Sequence, residues 1–66
     1  MGLKWTDVQD ITLALCEDRP GTDPRYLNFV DLQAWVLALP DFDDQPGHGG
    51  EKVLEAIQAA WIAEVE

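Results

Sequence analysis

The 66-residue sequence predicts an all-α domain with three main helices. Three segments carry apolar residues at the three-, four- and seven-residue spacings of amphipathic helices, and short connections join them. Hydrophobic residues make up 47% of the chain, well above the level at which charge alone keeps a chain disordered. A chain of this length has room for one domain and no second one.

The first helix is predicted over residues 7–18, with Thr6 as its N-cap. Gln9 lies three residues after Thr6, which is the spacing of a capping box. Arg19-Pro20-Gly21 supplies the residues that end the helix. Its apolar stripe consists of Val8, Ile11, Thr12 and Leu15.

The rest of the chain predicts two more helices separated by a loop. A short helical turn begins at Asp23-Pro24, and the second helix follows over residues 31–39 until Pro40 stops it. Residues 41–50 have the composition of a loop, and the third helix runs over residues 51–65. The predicted core consists of Trp5, Ile11, Leu15, Phe29, Leu32, Trp35, Val36, Leu39, Phe42, Leu54, Ile57 and Trp61.

The charge balance excludes several classes of partner. Asp and Glu number 13 against 4 Lys and Arg, so the formal net charge is -9. Such a surface repels phosphate, so we expect no nucleic-acid partner and no binding to anionic membranes. No apolar run approaches the roughly 20 residues that span a bilayer, and no signal-peptide pattern opens the chain. One cysteine excludes an internal disulfide framework, which fits the reducing cytoplasm where we expect the protein. We also expect it to be a monomer.

The acidic residues are the main functional signal. Asp41, Asp43 and Asp44 stand on the loop that leads to the third helix, where Glu51 and Glu55 lie one turn apart. We predict that these five carboxylates form a weak, exposed site for a hard cation. An EF-hand is excluded, because the loop has Pro and Lys where that motif needs Gly and Glu.

A wider acidic face is predicted to dock a basic partner. Asp7 and Asp10 share a face of the first helix, and Asp31 begins the second. Glu17 and Asp18 have the wrong sign for a helix C-terminus, so the helix dipole does not explain them. The predicted docking set consists of these five residues together with Asp41, Asp43, Asp44, Glu51 and Glu55. From the residues alone, an acidic face that is merely solvated is an equally good interpretation.

No catalytic constellation is present, and we predict that the protein is not an enzyme. Cys16 lacks a His or Cys partner at a useful spacing, and the sequence contains no serine. His48 stands between glycines, so we expect it to be exposed to solvent. A helix-turn-helix would use residues 31–39 as its recognition helix, but that segment contains no Lys or Arg with which to read DNA.

The order of the motifs resembles one family over essentially the whole chain. The stretches that carry the resemblance are Leu3-Lys4-Trp5-Thr6-Asp7, Asp23-Pro24, Phe29, Asp31, Trp35, Asp41-Phe42-Asp43-Asp44, Pro46, Glu51-Lys52, Leu54-Glu55-Ala56-Ile57, Trp61 and Glu64. With this spacing the chain resembles the IscX family, small acidic proteins encoded with the bacterial iron–sulfur cluster assembly machinery.

The resemblance implies a modified winged-helix, helix-turn-helix-like fold without DNA-binding function. It also implies a cysteine desulfurase of the IscS type as partner, iron binding through exposed carboxylates, and a surface that overlaps the one used by bacterial frataxin. The acids at matching positions are Asp7, Asp31, Asp41, Asp43, Asp44, Glu51, Glu55 and Glu64. Val30 departs from the family, which often has a hydroxyl N-cap there, and this leaves Asp31 or Asn28 to cap the helix.

Two functional hypotheses follow. The leading one is a non-enzymatic adaptor that regulates iron–sulfur cluster assembly, docks on the desulfurase and binds iron weakly. The alternative is an acidic interaction module without a functional metal site.

Overall fold

A computed structural model describes residues 2–66 of the chain. It contains three α-helices, α1 (Val8–Asp18), α2 (Phe29–Leu37) and α3 (Glu51–Val65), with single 3₁₀ turns at Pro24–Tyr26 and Pro46–His48. The described residues contain no strand, and their only β-type pairing is an isolated bridge between Leu3 and Phe42. The predicted all-α class is confirmed, while the winged-helix comparison stays a prediction.

Helix α1 lies within one residue of its predicted start, but the predicted capping box is wrong. The Asp7 N–H donates to the carbonyl of Lys4 at 2.9 Å, so Thr6 lies inside a turn and is exposed. Asp7 takes the N-cap position without a side-chain capping bond, because its carboxylate accepts the backbone N–H of Lys4 at 2.9 Å. The helix therefore begins at Val8.

Helix α2 begins two residues earlier than predicted because Asn28 caps it. The Asn28 side chain accepts the backbone N–H of Asp31 at 2.8 Å, which satisfies one of the free donors of the first turn. The N–H of Leu39 then donates to Val36 at 3.1 Å in a tighter turn, and Pro40 follows. A residue that precedes proline is disfavoured in the helical region, so α2 ends before Leu39.

The core lies between α1 and α3, which pack on one another more extensively than any other pair of elements. Its buried hydrophobic residues are Trp5, Ile11, Leu15, Leu32, Val36, Leu39, Leu54, Ile57 and Trp61. Thr12 is also buried, and its hydroxyl donates to the carbonyl of Val8 at 2.8 Å, which allows a polar residue in this position.

Three residues of the predicted core lie at its edge. Phe29, Trp35 and Phe42 are only half-buried and pack against the buried cluster. Trp35 packs edge-to-face with Trp61 at 6.2 Å between ring centroids, and the Arg19 guanidinium lies over the Trp35 ring, 4.4 Å from its centroid. A flat cationic group can cover an aromatic face in this way, so Trp35 does not need full burial.

None of the helices in residues 2–66 has the length and apolar character needed to cross a lipid bilayer.

Candidate acidic docking and cation site

The acidic loop between α2 and α3 is fastened to the N-terminal segment. The backbone N–H of Leu3 donates to the Asp41 carbonyl at 2.6 Å, and the N–H of Asp43 donates back to Leu3 at 2.8 Å. The indole N–H of Trp5 donates to the carbonyl of Gln45 at 2.7 Å. Phe42 packs edge-to-face on Trp5, with ring centroids 4.8 Å apart. These contacts hold the loop against the core through a buried tryptophan.

Asp44 is the polar anchor of this arrangement. One carboxylate oxygen accepts the backbone N–H of Trp5 at 3.1 Å, and the other accepts the N–H of Gln45 at 2.7 Å. His48 Nδ1 lies 2.8 Å from the second oxygen, and the Asp44 side chain is only 16% exposed. The hydrogen bonds from Trp5 and Gln45, followed by that from His48, hold the pKa of Asp44 below its usual range. Asp44 therefore has a structural task that sequence reasoning did not assign to it.

The side chains of Asp41 and Asp43 are more exposed than that of Asp44. The Asp43 side chain is 81% exposed, with one carboxylate oxygen 3.6 Å from the Lys4 ammonium. The same ammonium also donates to the Asp43 carbonyl. Asp41 is exposed, and its contact with Leu3 uses only its backbone carbonyl.

Glu51 and Glu55 are exposed on the first two turns of α3, one helical turn apart as predicted. The structure does not gather them with the loop acids into a ready-made ligand cage. Within residues 2–66, no three side chains of His, Cys, Asp or Glu lie close enough together to hold one metal ion. Apart from the bonded Asp44, the predicted cation site consists of exposed carboxylates that do not converge on one point, and iron binding there stays a prediction.

The acids of the predicted docking face differ in how freely they project. Asp10 and Glu17 are exposed on α1, and Asp18 is paired with Arg19 at 3.7 Å. Asp7 is half-buried, with its carboxylate bonded to the N–H of Lys4. Asp31 is exposed at the start of α2, where its carboxylate accepts the Asn28 amide at 3.1 Å.

Most of the basic side chains form ion pairs with acids of the same chain. Three of the four basic side chains are ion-paired within the described residues: Lys4 with Asp43, Arg19 with Asp18 and Arg25 with Asp23. The side-chain hydrogen bond from Arg25 and a second one from its backbone lower the pKa of Asp23. The acids outside these pairs carry the net negative charge of the surface, which is the electrostatic property that attracts a basic partner.

Cys16 has none of the features of an activated nucleophile. The residue is half-buried on α1, and burial, with a further contribution from the charge of Glu64, raises the pKa of its thiol. A raised pKa lowers the fraction of reactive thiolate at neutral pH.

Comparison with known proteins identifies the family of the chain. A family model described as "Iron-sulphur cluster assembly" matches residues 3–66, which is nearly the whole chain. The chain belongs to the iron–sulphur cluster assembly family. A role in cluster assembly follows from this membership, and the family is not a known catalytic one.

A relative in Pseudomonas aeruginosa has nearly the same length. It is 64% identical over 64 residues, which cover 97% of this chain and 97% of the relative, and it is named only as an uncharacterized protein.

Proposed function

We propose that this protein is a non-enzymatic adaptor of iron–sulfur cluster assembly that docks by its acidic face on a cysteine desulfurase of the IscS type. The observation that carries the proposal is the excess of exposed acids over free basic groups. Asp10, Glu17, Glu51 and Glu55 are all exposed, whereas three of the four basic side chains are already paired within the chain. Such a surface favours a partner with a basic patch and speeds their encounter.

Docking is tested with purified desulfurase by calorimetric titration. Two variants remove the same number of charges from different faces: Glu51→Gln/Glu55→Gln from α3 and Asp10→Asn/Glu17→Gln from α1. We expect each to weaken binding, because rim charges contribute to electrostatic complementarity. Unchanged affinity in both variants would contradict docking through these acids. If bacterial frataxin uses an overlapping surface, it will displace the bound protein from the desulfurase.

We also propose that the protein binds iron weakly through its exposed carboxylates. Carboxylate oxygens suit hard cations, and a bound cation would relieve the repulsion between Glu51 and Glu55. The acids are separate and solvated, so we expect low affinity and little selectivity over other hard cations. Asp44 contributes least to this site, because its oxygens already accept hydrogen bonds from Trp5 and Gln45.

Iron binding is tested by NMR line broadening on addition of iron. The site variant replaces Asp41, Asp43, Glu51 and Glu55 by Asn or Gln, and leaves Asp44 in place so that the loop stays anchored. A matched control replaces four other exposed acids in the same way: Asp10, Glu17, Asp31 and Glu64. We expect broadening around the loop and the start of α3 to disappear only in the site variant. Broadening that persists there, or that lies mainly along α1, would refute the assignment.

The alternative is an acidic interaction module without a functional metal site, in which the exposed carboxylates serve docking only. The two hypotheses separate when the binding and the iron measurements are combined. If the site variant binds the desulfurase less tightly but the wild-type protein shows no localised broadening with iron, the acids serve docking alone. Both hypotheses place the protein in the cytoplasm with its partner.

A further inference from the structure

Helix α2 has two apolar faces, of which the fold uses only one. Leu32 and Val36 are buried in the core. On the opposite face, Val30 is 79% exposed and Leu37 is 37% exposed. Residues that are three, four or seven positions apart share a helix face, so these side chains line up with two exposed alanines. We name this face the α2 stripe, consisting of Val30, Ala34, Leu37 and Ala38.

The α2 stripe differs from the other exposed apolar residues. The other large ones lie on three different elements: Leu13 on α1 is 43% exposed, Tyr26 in the first 3₁₀ turn is 83% exposed, and Val65 at the end of α3 is 53% exposed. Single apolar side chains on a surface are ordinary, whereas a contiguous apolar row with a polar border is typical of an interaction site. The α2 stripe runs along the whole of a nine-residue helix, about 14 Å in length.

Acidic groups border the α2 stripe at both of its ends. Asp31 is exposed in the first turn of α2, next to Val30. At the other end, Asp41 is exposed three residues after Ala38, and the last turn of α2 has no basic residue. The C-terminal carbonyls of a helix carry partial negative charge, which adds to that of Asp41.

This charge pattern decides which occupant fits. A second copy of the chain would bring another net charge of -9 against the first, so self-association is opposed by repulsion. An anionic membrane would be repelled for the same reason. A protein segment with apolar side chains in its centre and Lys or Arg on its edges would match both the apolar row and its acidic ends.

We infer that the α2 stripe is a docking surface for a cationic amphipathic helix of a partner protein. Two to three turns of such a helix match the length of α2, with apolar side chains on Val30 and Leu37 and basic ones on Asp31 and Asp41. The apolar centre supplies contact and the acidic border supplies orientation, as in other interfaces with a hydrophobic core and polar rim. This surface goes beyond the proposed function, which rests on the exposed acids and uses no apolar contact.

The probe is a synthetic 18-residue helix of Leu, Ala and Lys, with Leu on one face. A scrambled peptide of the same composition has the same charge but no apolar face. NMR titration of the full-length protein should shift the amides of the α2 stripe with the ordered peptide, which should bind at least about tenfold more tightly than the scrambled one.

The test variant is Val30→Thr/Leu37→Gln, which makes the two large side chains of the stripe polar and changes helix propensity little, because Thr resembles Val and Gln resembles Leu in this respect. The control, Val65→Thr/Leu13→Gln, makes the same two changes at comparably exposed positions on other helices. We expect the test variant to bind the ordered peptide about tenfold or more weakly and the control to bind like wild type. Far-UV circular dichroism checks the fold, and Val30→Thr alone provides a milder variant with a smaller loss in the same direction.

Three outcomes would overturn the inference. Equal binding of the ordered and scrambled peptides, or equal binding by the test variant and wild type, would mean that charge alone drives association. Concentration-dependent self-association of wild type that Val30→Thr/Leu37→Gln abolishes would make a second copy the occupant. Because no acid is changed in these variants, failure here leaves the desulfurase proposal untouched.

Discussion

Asp44 shows how hydrogen bonds give neighbouring aspartates different roles. It belongs to the run Asp43-Asp44, and nothing in the composition of that run distinguishes its two carboxylates. In the folded chain one of them is 81% exposed and the other accepts the N–H groups of Trp5 and Gln45. The exposed acid is available to a ligand, and the bonded one holds the loop.

The bonded state of Asp44 predicts a specific loss of stability in acid. Its folded pKa lies below that of the unfolded chain, so the stability it contributes is present above about pH 4 and is lost as pH falls through the folded pKa. Asp44→Asn should therefore lower Tm at pH 7, and the gap to wild type should narrow as the pH falls below about 4. Asp41→Asn, at an exposed position of the same loop whose contact with Leu3 uses only the backbone, serves as the control and should leave Tm at pH 7 nearly unchanged. A gap that stays constant from neutral to acid pH would contradict this role.

Two glycines of the loop predict opposite responses to the same substitution. A Cβ atom on Gly49 would lie 2.5 Å from two carbons of the Trp5 indole, which is buried and has no room to move away. Gly47 has nothing within 4 Å of the corresponding position. Gly49→Ala should lower the free energy of unfolding by about 1–3 kcal/mol. Gly47→Ala should leave it unchanged or raise it by up to about 1 kcal/mol, through the lower entropy of the unfolded chain. Urea denaturation of both variants measures the difference, and equal stabilities would disprove the close contact.

At the scale of elements, Trp61 is the largest buried side chain of α3. Trp61 is 1% exposed and packs edge-to-face with Trp35. Trp61→Ala should cost about 3–5 kcal/mol, which approaches the whole stability of a domain this small. Leu13→Ala, at an exposed position on α1, is the control and should remain folded. A Trp61→Ala protein with a normal thermal transition but no partner binding would instead place Trp61 at the interface.

The helices could be predicted because their apolar spacing and end signals are local. The predicted bounds of α3 are those observed, and α1 differs by one residue. The predicted Thr6 cap was wrong because the turn from Lys4 to Asp7 competes for the same residues. Similarly, α2 starts at Phe29 because Asn28 is its cap. The sequence left Asn28 and Asp31 as alternative caps, and only the backbone geometry decides between them.

The candidate site was predictable in its composition but not in its internal contacts. The exposure of Glu51 and Glu55 follows from their place on the polar face of a helix. The bonds of Asp44 do not, because Trp5 lies 39 residues away in sequence and no local pattern links the two. Trp35 was predicted to lie in the core, and its half-burial could not be predicted because the Arg19 guanidinium over its ring comes from a separate part of the chain.

At the scale of the whole molecule, a net charge of -9 on 66 residues makes the affinity for a basic partner depend on salt concentration. Screening shortens the Debye length from about 10 Å at 0.1 M to about 3 Å at 1 M salt. The affinity for the desulfurase should therefore fall steadily over this range, mainly through a slower association rate. An uncharged osmolyte at equal osmolality is the control and should not reproduce the loss. Salt-independent affinity would exclude docking driven by the acidic face.

The two hydrogen bonds of Trp5 also make two distant parts of the chain open and close together. Its hydrogen bonds join positions 39 and 40 residues apart, so the N-terminal segment and the acidic loop close one large ring of chain. When the N-terminal segment or the acidic loop detaches, the other loses these hydrogen bonds. In native-state hydrogen exchange, the amides of Leu3, Trp5 and Asp43 should therefore exchange as one cooperative unit, at a lower opening free energy than the amides in the middle of α1 and α3. A tag or truncation at the N-terminus would then alter the presentation of the acidic loop 40 residues away.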